Sequence, residues 1–137
     1  MASFDATGLD TRRKQAQECW QQKQEAELYV TVGMATCGLA AGAKETLTAI
    51  EEEIERRDLD AVISSVGCVG MCSYEPMIEL QARGRPRINY GDATAENVPE
   101  IFASYLDDAS LEDGVIVGQV DSTTRTSNGY MLQSLSF

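Results

Sequence analysis

The sequence predicts an α/β domain: a mixed sheet of four or five strands flanked by helices, with one further helix ahead of it. Three observations predict it. A strand, an amphipathic helix and a second strand follow one another between residues 28 and 66. Two short apolar runs then flank a glycine-containing turn between residues 77 and 90, and an apolar-striped helical segment closes the unit near Asp108. A strand–helix–strand unit of this length builds a parallel pair through a crossover, while runs split by a short turn build an antiparallel hairpin, so the sheet is mixed.

Residues 1–27 read as an arm followed by a helix. Met1 to Asp10 is polar and poor in apolar side chains, which suits a mobile arm. Thr11 to about Glu27 is rich in helix formers, with Asp10 or Thr11 as N-cap. Its apolar stripe holds only Ala16, Cys19, Trp20 and the stem of Lys23, so this helix needs a partner surface.

The domain proper spans residues 28–118. Leu28-Tyr29-Val30-Thr31-Val32-Gly33 is β-branched and aromatic and ends at glycine, hence a strand. Leu39, Ala43, Leu47, Ile50 and Ile54 recur at helical spacing, predicting one helix to about Arg57 with Glu51, Glu52, Glu53 and Glu55 on a solvated face. Ala61 to Val66 is the second strand. The crossover between them sets the loop after Gly33 and the loop after Val66 at one edge of the sheet.

Met77 to Leu80 and Pro86 to Tyr90 form the hairpin around Ala82-Arg83-Gly84-Arg85. Arg83, Arg85 and Arg87 make a dense basic patch, suited either to docking an acidic surface or to blocking edge pairing. The last helix is capped by Asp92 or Thr94, tolerates Pro99 in its first turn and carries Val98, Ile101, Phe102, Tyr105 and Leu106. Val115-Ile116-Val117 adds an edge strand or a docking contact. Residues 119–137 form a polar tail with an apolar end (Tyr130-Met131-Leu132, Leu135, Phe137), which either frays or orders on a partner.

Composition narrows the chemistry. A chain of 137 residues fits one small domain. A formal net charge of −11 argues against nucleic acid, whose binding relies on Lys and Arg, and favours a basic protein surface as partner. No run approaches the roughly 18 apolar residues of a membrane-spanning helix, and the N-terminus has no signal-peptide core, so a cytoplasmic location is expected. In that reducing compartment the four cysteines are metal ligands, redox-active thiols or buried thiols rather than structural disulfides. The absence of histidine removes the usual partner of a catalytic cysteine.

The chemistry concentrates in Thr36-Cys37-Gly38 and Gly67-Cys68-Val69-Gly70-Met71-Cys72. Thiolates in glycine-flanked loops delivered to one sheet edge point to a metal centre, because glycine lets the backbone bend closely around a cluster. A thioredoxin-type dithiol at Cys68 and Cys72 is disfavoured by the extra residue over C-x-x-C, and zinc by the absence of paired C-x2-C spacing. Met34, Met71 and Met77 lie near the cysteines as shields or gap-fillers. Glu75-Pro76 fixes the chain leaving the second loop.

Three blocks in this order resemble the thioredoxin-like [2Fe-2S] ferredoxins: Val32-Gly33-Met34-Ala35-Thr36-Cys37-Gly38-Leu39-Ala40-Ala41-Gly42-Ala43, Gly67 to Cys72 with Glu75-Pro76, and Asn89-Tyr90-Gly91 before Glu96-Asn97-Val98-Pro99-Glu100-Ile101. The layout is nearest the small ferredoxin-like subunit of NAD(P)-reducing [FeFe] hydrogenases and the N-terminal domain of their flavin subunits. The resemblance covers Tyr29 to Leu111 and implies a thioredoxin-like ferredoxin fold. Four cysteines, C-x4-C and C-x3-C, hold the cluster in that family. Cys37, Cys68 and Cys72 match three of them, and Val32 occupies the fourth position.

Valine offers iron no lone pair. Cys19 is the one other thiol: nine helical residues to Leu28 span about 14 Å and four strand residues to Val32 about 13 Å, so a helix folded back on the strand brings the two together. Cys19 beside Trp20 reads more readily as a small buried hydrophobe on the helix's thin apolar stripe. An oxygen of Thr31, Thr36, Ser73 or water is a further substitute. The resemblance implies an electron-transfer subunit without bond-making chemistry of its own, working in an NAD(P)H-linked complex of hydrogenase or formate dehydrogenase type. Its partners there are a flavin-bearing NAD(P)H-binding subunit and a catalytic iron-sulfur subunit. The alternative is a redox-silent adaptor that has lost the cluster.

Overall fold

The computed structural model describes residues 6–120, and for residues 6, 7, 19, 20 and 22–24 the backbone alone. The tail reading of 121–137 therefore lies outside the described residues. In chain order the elements are α1 (Ala6–Glu25), β1 (Leu28–Gly33), α2 (Thr36–Ala40), α3 (Ala43–Arg57), β2 (Ala61–Val66), a 3-10 turn (Cys72–Tyr74), β3 (Ile78–Ala82), β4 (Arg87–Gly91), α4 (Val98–Leu106) and β5 (Val115–Val120).

The sheet order is β2-β1-β3-β4-β5. β1 and β2 are parallel from Leu28↔Ala61 to Gly33↔Val66, and the other three pairings are antiparallel. Rows such as Val32 opposite Ile78 and Ile78 opposite Tyr90 place the apolar residues on one face. That face packs on Ile50 of α3 and on Val98, Ile101, Phe102 and Tyr105 of α4, all buried. The alternate residues Thr31, Glu79 and Asn89 form a polar row on the opposite face.

Several expectations are revised. Helix α1 starts at Ala6, so part of the expected arm is helical. The helix expected from Leu39 is two helices, because Gly42 adopts φ 102°, a left-handed conformation that ends α2 and re-aims the chain into α3. Leu39 consequently leaves the apolar stripe and is exposed, while Ala43, Thr46 and Ile50 are buried. Neither Asp92 nor Thr94 caps α4. The Thr94–Asn97 stretch turns on itself, with the amides of Asn97 and Val98 bonded to Thr94 O, and Asn97 takes the cap position. The edge strand β5 is present and runs to Val120.

The basic patch is used internally. Arg85 donates to the carbonyls of Tyr105 (2.7 Å) and Leu106 (3.0 Å) and pairs with Asp108, satisfying the C-terminal end of α4. Arg83 donates to Glu25 O at the end of α1, and Arg87 pairs with Glu79. Tyr105 ties the hairpin to α4: its hydroxyl accepts from Ala82 N–H (2.7 Å) and donates to Pro86 O (2.8 Å). Burial holds its phenol above the usual range. Tyr105→Phe removes both bonds and leaves a donor and an acceptor half-buried, so a loss of about 1–3 kcal/mol is expected by urea unfolding.

Glu53 departs from the solvated acidic run, being 3% exposed. Arg56 and Arg57 both donate to its carboxylate, and Arg57 also reaches Asp107 at 2.8 Å, bridging α3 to the end of α4. Burial alone raises the Glu53 pKa, but the bonds and charges of Arg56 and Arg57 outweigh it and the net shift is downward. A carboxyl depressed on folding contributes stability that is present above its unfolded value and lost as pH falls through the folded one. Glu53→Gln is therefore expected to lower stability near pH 7 by about 1–3 kcal/mol and to flatten the acid limb of a stability–pH profile.

Candidate metal centre

The parallel pairing of β1 and β2 continues one residue beyond the strands, where Met34 N–H donates to Val66 O at 2.9 Å. Cys37 on α2 and the Cys68–Cys72 loop therefore leave the same end of the sheet, as the crossover predicts. Cys37, Cys68 and Cys72 are all exposed free thiols.

The second loop is organised around its sulfurs. Cys68 Sγ and Cys72 Sγ stand 3.7 Å apart, and Gly70 N–H points at Cys68 Sγ from 3.3 Å. A tetrahedral metal with thiolate bonds of about 2.3 Å separates its sulfurs by about 3.8 Å, so this pair is spaced as two ligands of one ion. An amide directed at a ligating sulfur stabilises its negative charge, one of the levers on cluster potential.

The loop's far side is bolted to the sheet. Gly33 N–H donates to Met77 O, Asp92 N–H to Tyr74 O and Ala93 N–H to Pro76 O, at 2.8–2.9 Å.

Glu75 joins the two cysteine segments, a role that its sequence position did not reveal. Its Oε2 accepts the Met77 N–H at 2.9 Å. The same oxygen lies 3.0 Å from where a Cβ on Gly33 would sit and 3.1 Å from one on Gly38. The carboxylate thus fills a notch made by two residues that lack side chains, one at the end of β1 and one beside Cys37. Glu75→Ala empties the notch. Its expected result is amide exchange at Met77 faster by about tenfold, read by NMR, as the loop opens locally.

The assembly is partial. Among the described residues no group of three or more Cys, Asp, Glu or His side chains is close enough to hold a metal ion. Cys68 and Cys72 are together, whereas Cys37 approaches only to the same sheet end. Val32 is fully buried in the core, paired with Ser65 and Ile78. The Cys19 side chain lies outside the described residues. Of the methionines, Met34 and Met77 pack as gap-fillers, whereas Met71 is exposed between the cysteines. Leu39 on α2, Val66 at the end of β2, and Val69 and Tyr74 of the second cysteine segment are likewise exposed.

Together, the five-stranded mixed sheet, its helices and the cysteine-bearing loops define a thioredoxin-like ferredoxin fold. A solved thioredoxin-like [2Fe-2S] ferredoxin from Aquifex aeolicus superposes with TM-score 0.50 at 22% identity, over 61% of this chain and 83% of that one. No family model matches the chain.

In sequence, the chain is similar to NADP-reducing hydrogenase subunit HndB of Solidesulfovibrio fructosivorans, 24% identical over 94 residues that cover 68% of this chain and 75% of HndB. It is also similar to a 2Fe-2S ferredoxin of Clostridium pasteurianum, 30% identical over 69 residues, 49% of this chain and 65% of that protein. The resemblance read from the three sequence blocks therefore stands. No described helix is long and apolar enough to cross a membrane.

Proposed function

We propose that Cys37, Cys68 and Cys72 supply three thiolates to a [2Fe-2S] cluster, and that the chain relays single electrons within a multi-subunit NAD(P)H-linked oxidoreductase of the cytoplasm. The observation that carries this reading is the 3.7 Å spacing of Cys68 and Cys72 with the Gly70 amide aimed at Cys68 Sγ. The names of the similar proteins, a hydrogenase subunit and a 2Fe-2S ferredoxin, support it.

A cluster bound there supplies one-electron exchange and nothing more. The chain's own residues hold, orient and tune: the glycine-rich loop presets one sulfur pair, Gly70 N–H stabilises charge on Cys68, and Glu75 holds the Cys37 segment against the Cys72 loop. Hydride chemistry belongs to a flavin-bearing NAD(P)H-binding partner, and substrate chemistry to a catalytic iron-sulfur subunit of hydrogenase or formate dehydrogenase type. Cys19 is the remaining thiol available as fourth ligand, and an oxygen ligand is the alternative.

Anaerobic purification tests the reading. Brown protein with visible charge-transfer absorption and about two irons and two sulfides per chain supports it. Protein that takes up no iron on reconstitution rejects it in favour of a redox-silent adaptor, a reading that rests on the aliphatic, fully buried Val32. A Cys19→Ser protein that keeps its full cluster removes Cys19 as ligand.

A further inference from the structure

Exposed apolar side chains are gathered at one end of the molecule. Of the eight large hydrophobic residues exposed among the described residues, seven lie at the cysteine end of the sheet. Leu39, Val66, Val69, Met71 and Tyr74 surround the cysteines. Val115 and Ile116 join them because β5 begins at that end, with Val115 opposite Gly91, whose neighbour Asp92 bonds Tyr74 O. The eighth, Leu9, is on α1.

Charge at this end is of one sign. The segments that build this end, residues 33–43, 66–77, 91–97 and 112–117, hold Glu75, Asp92, Glu96, Glu112 and Asp113 and no lysine or arginine, with Lys44 the first cation beyond them. All of those carboxylate residues except the half-buried Glu75 are exposed. The arginines Arg56, Arg57, Arg83 and Arg85 stand at the opposite end, where α3 finishes and the β3–β4 hairpin turns, and there Glu53, Asp107 and Asp108 pair with three of them.

An apolar centre rimmed by like charges is the anatomy of a protein–protein contact. The centre gives short-range affinity, and the rim steers a partner of opposite sign into register. We infer that the cysteine end is the docking face for a redox partner whose contact surface is apolar at its centre and ringed by lysine or arginine. This rests on the reading above that electrons pass at Cys37, Cys68 and Cys72. It adds which face the electron crosses and the charge of what meets it.

Zero-length carbodiimide cross-linking of the full chain to cytochrome c, a lysine-rich haem protein, tests the face. The readout is peptide mapping and does not require electron transfer. Cross-links are expected at the exposed Asp92, Glu96, Glu112 and Asp113, with a yield that falls about tenfold between low salt and about 0.3 M salt as the charges are screened. A Val69→Ser, Ile116→Ser double variant is expected to lower the yield about fivefold at low salt, and Leu9→Ser to leave it unchanged.

Cross-links concentrated on Glu51, Glu52 and Glu55 of α3, a cross-linked homodimer in place of the heterodimer, or a yield indifferent to Val69 and Ile116 would each overturn the inference. Iron and sulfide are measured on the same preparation. A footprint at the cysteine end of iron-free protein keeps the face and rejects the cluster, whereas a loaded protein footprinted elsewhere does the reverse.

Discussion

A Cys72→Ala protein purified anaerobically is expected to be colourless, with iron and sulfide below about a tenth of the wild-type content. Cys68 and Cys72 are set 3.7 Å apart, the spacing of two ligands of one metal, so under the proposed ligation losing either leaves that ion with a single thiolate from the loop. Alanine offers no donor atom, and Val32, at the position where the resemblance places a fourth cysteine, offers none either. The fold itself should be indifferent. Cys72 is exposed and outside the core, so the unfolding free energy of the iron-free variant should match that of iron-free wild type within about 0.5 kcal/mol. Retention of a full cluster by Cys72→Ala, measured by iron and sulfide assay, would remove Cys72 from the ligand set.

Gly38→Ala is expected to damage fold and site together. A Cβ at residue 38 would lie 2.5 Å from the carbonyl oxygen of Gly33, a backbone atom that cannot swing aside, and 3.1 Å from the Glu75 carboxylate. Residue 38 is helical, so the loss does not come from an unusual dihedral but from forcing α2 away from the end of β1. Overpacking against fixed backbone costs typically about 1–3 kcal/mol and occasionally more, and the upper part of that range is expected by denaturant unfolding. Since Gly38 follows Cys37 directly, the same displacement moves a proposed ligand. The variant should therefore load less iron even at temperatures where it remains folded. Thr46→Val, by comparison, removes one buried hydroxyl bond to Ala93 O at 2.7 Å and should leave iron content unchanged.

The elements of the sheet were legible because each carries its own local signal. Leu28 to Gly33 and Ala61 to Val66 match the observed strands at both ends, since β-branched runs bounded by glycine or acidic turns leave little choice of register. The division of the second helix was not legible from periodicity. Leu39 falls on the same helical stripe as Ala43, and only the positive φ of Gly42 takes it off that stripe.

Glu53 was hidden for a similar reason. It sits in a run of glutamates broken only by Ile54, and what holds it in place is Arg56 together with Arg57, which also bonds Asp107 fifty positions away. The cysteine constellation was readable as three positions and a topology. The 3.7 Å pairing, the Gly70 amide and the Glu75 notch depend on loop geometry that no spacing rule supplies.

The contacts that tie α4 to α3 and to the hairpin, namely the Glu53–Arg57–Asp107 chain, the Arg85 grip on the last carbonyls of α4 and the Tyr105 hydroxyl, all lie at the far end of the sheet from Cys37, Cys68 and Cys72. Sites that share no partners contribute independently, so changes at the two ends should sum in free energy with little cross-talk. A chain reinforced at the arginine end could therefore absorb substitutions among the thiol loops that an unreinforced chain would not survive. That gives this small protein room to alter its chemistry while its frame stays the same.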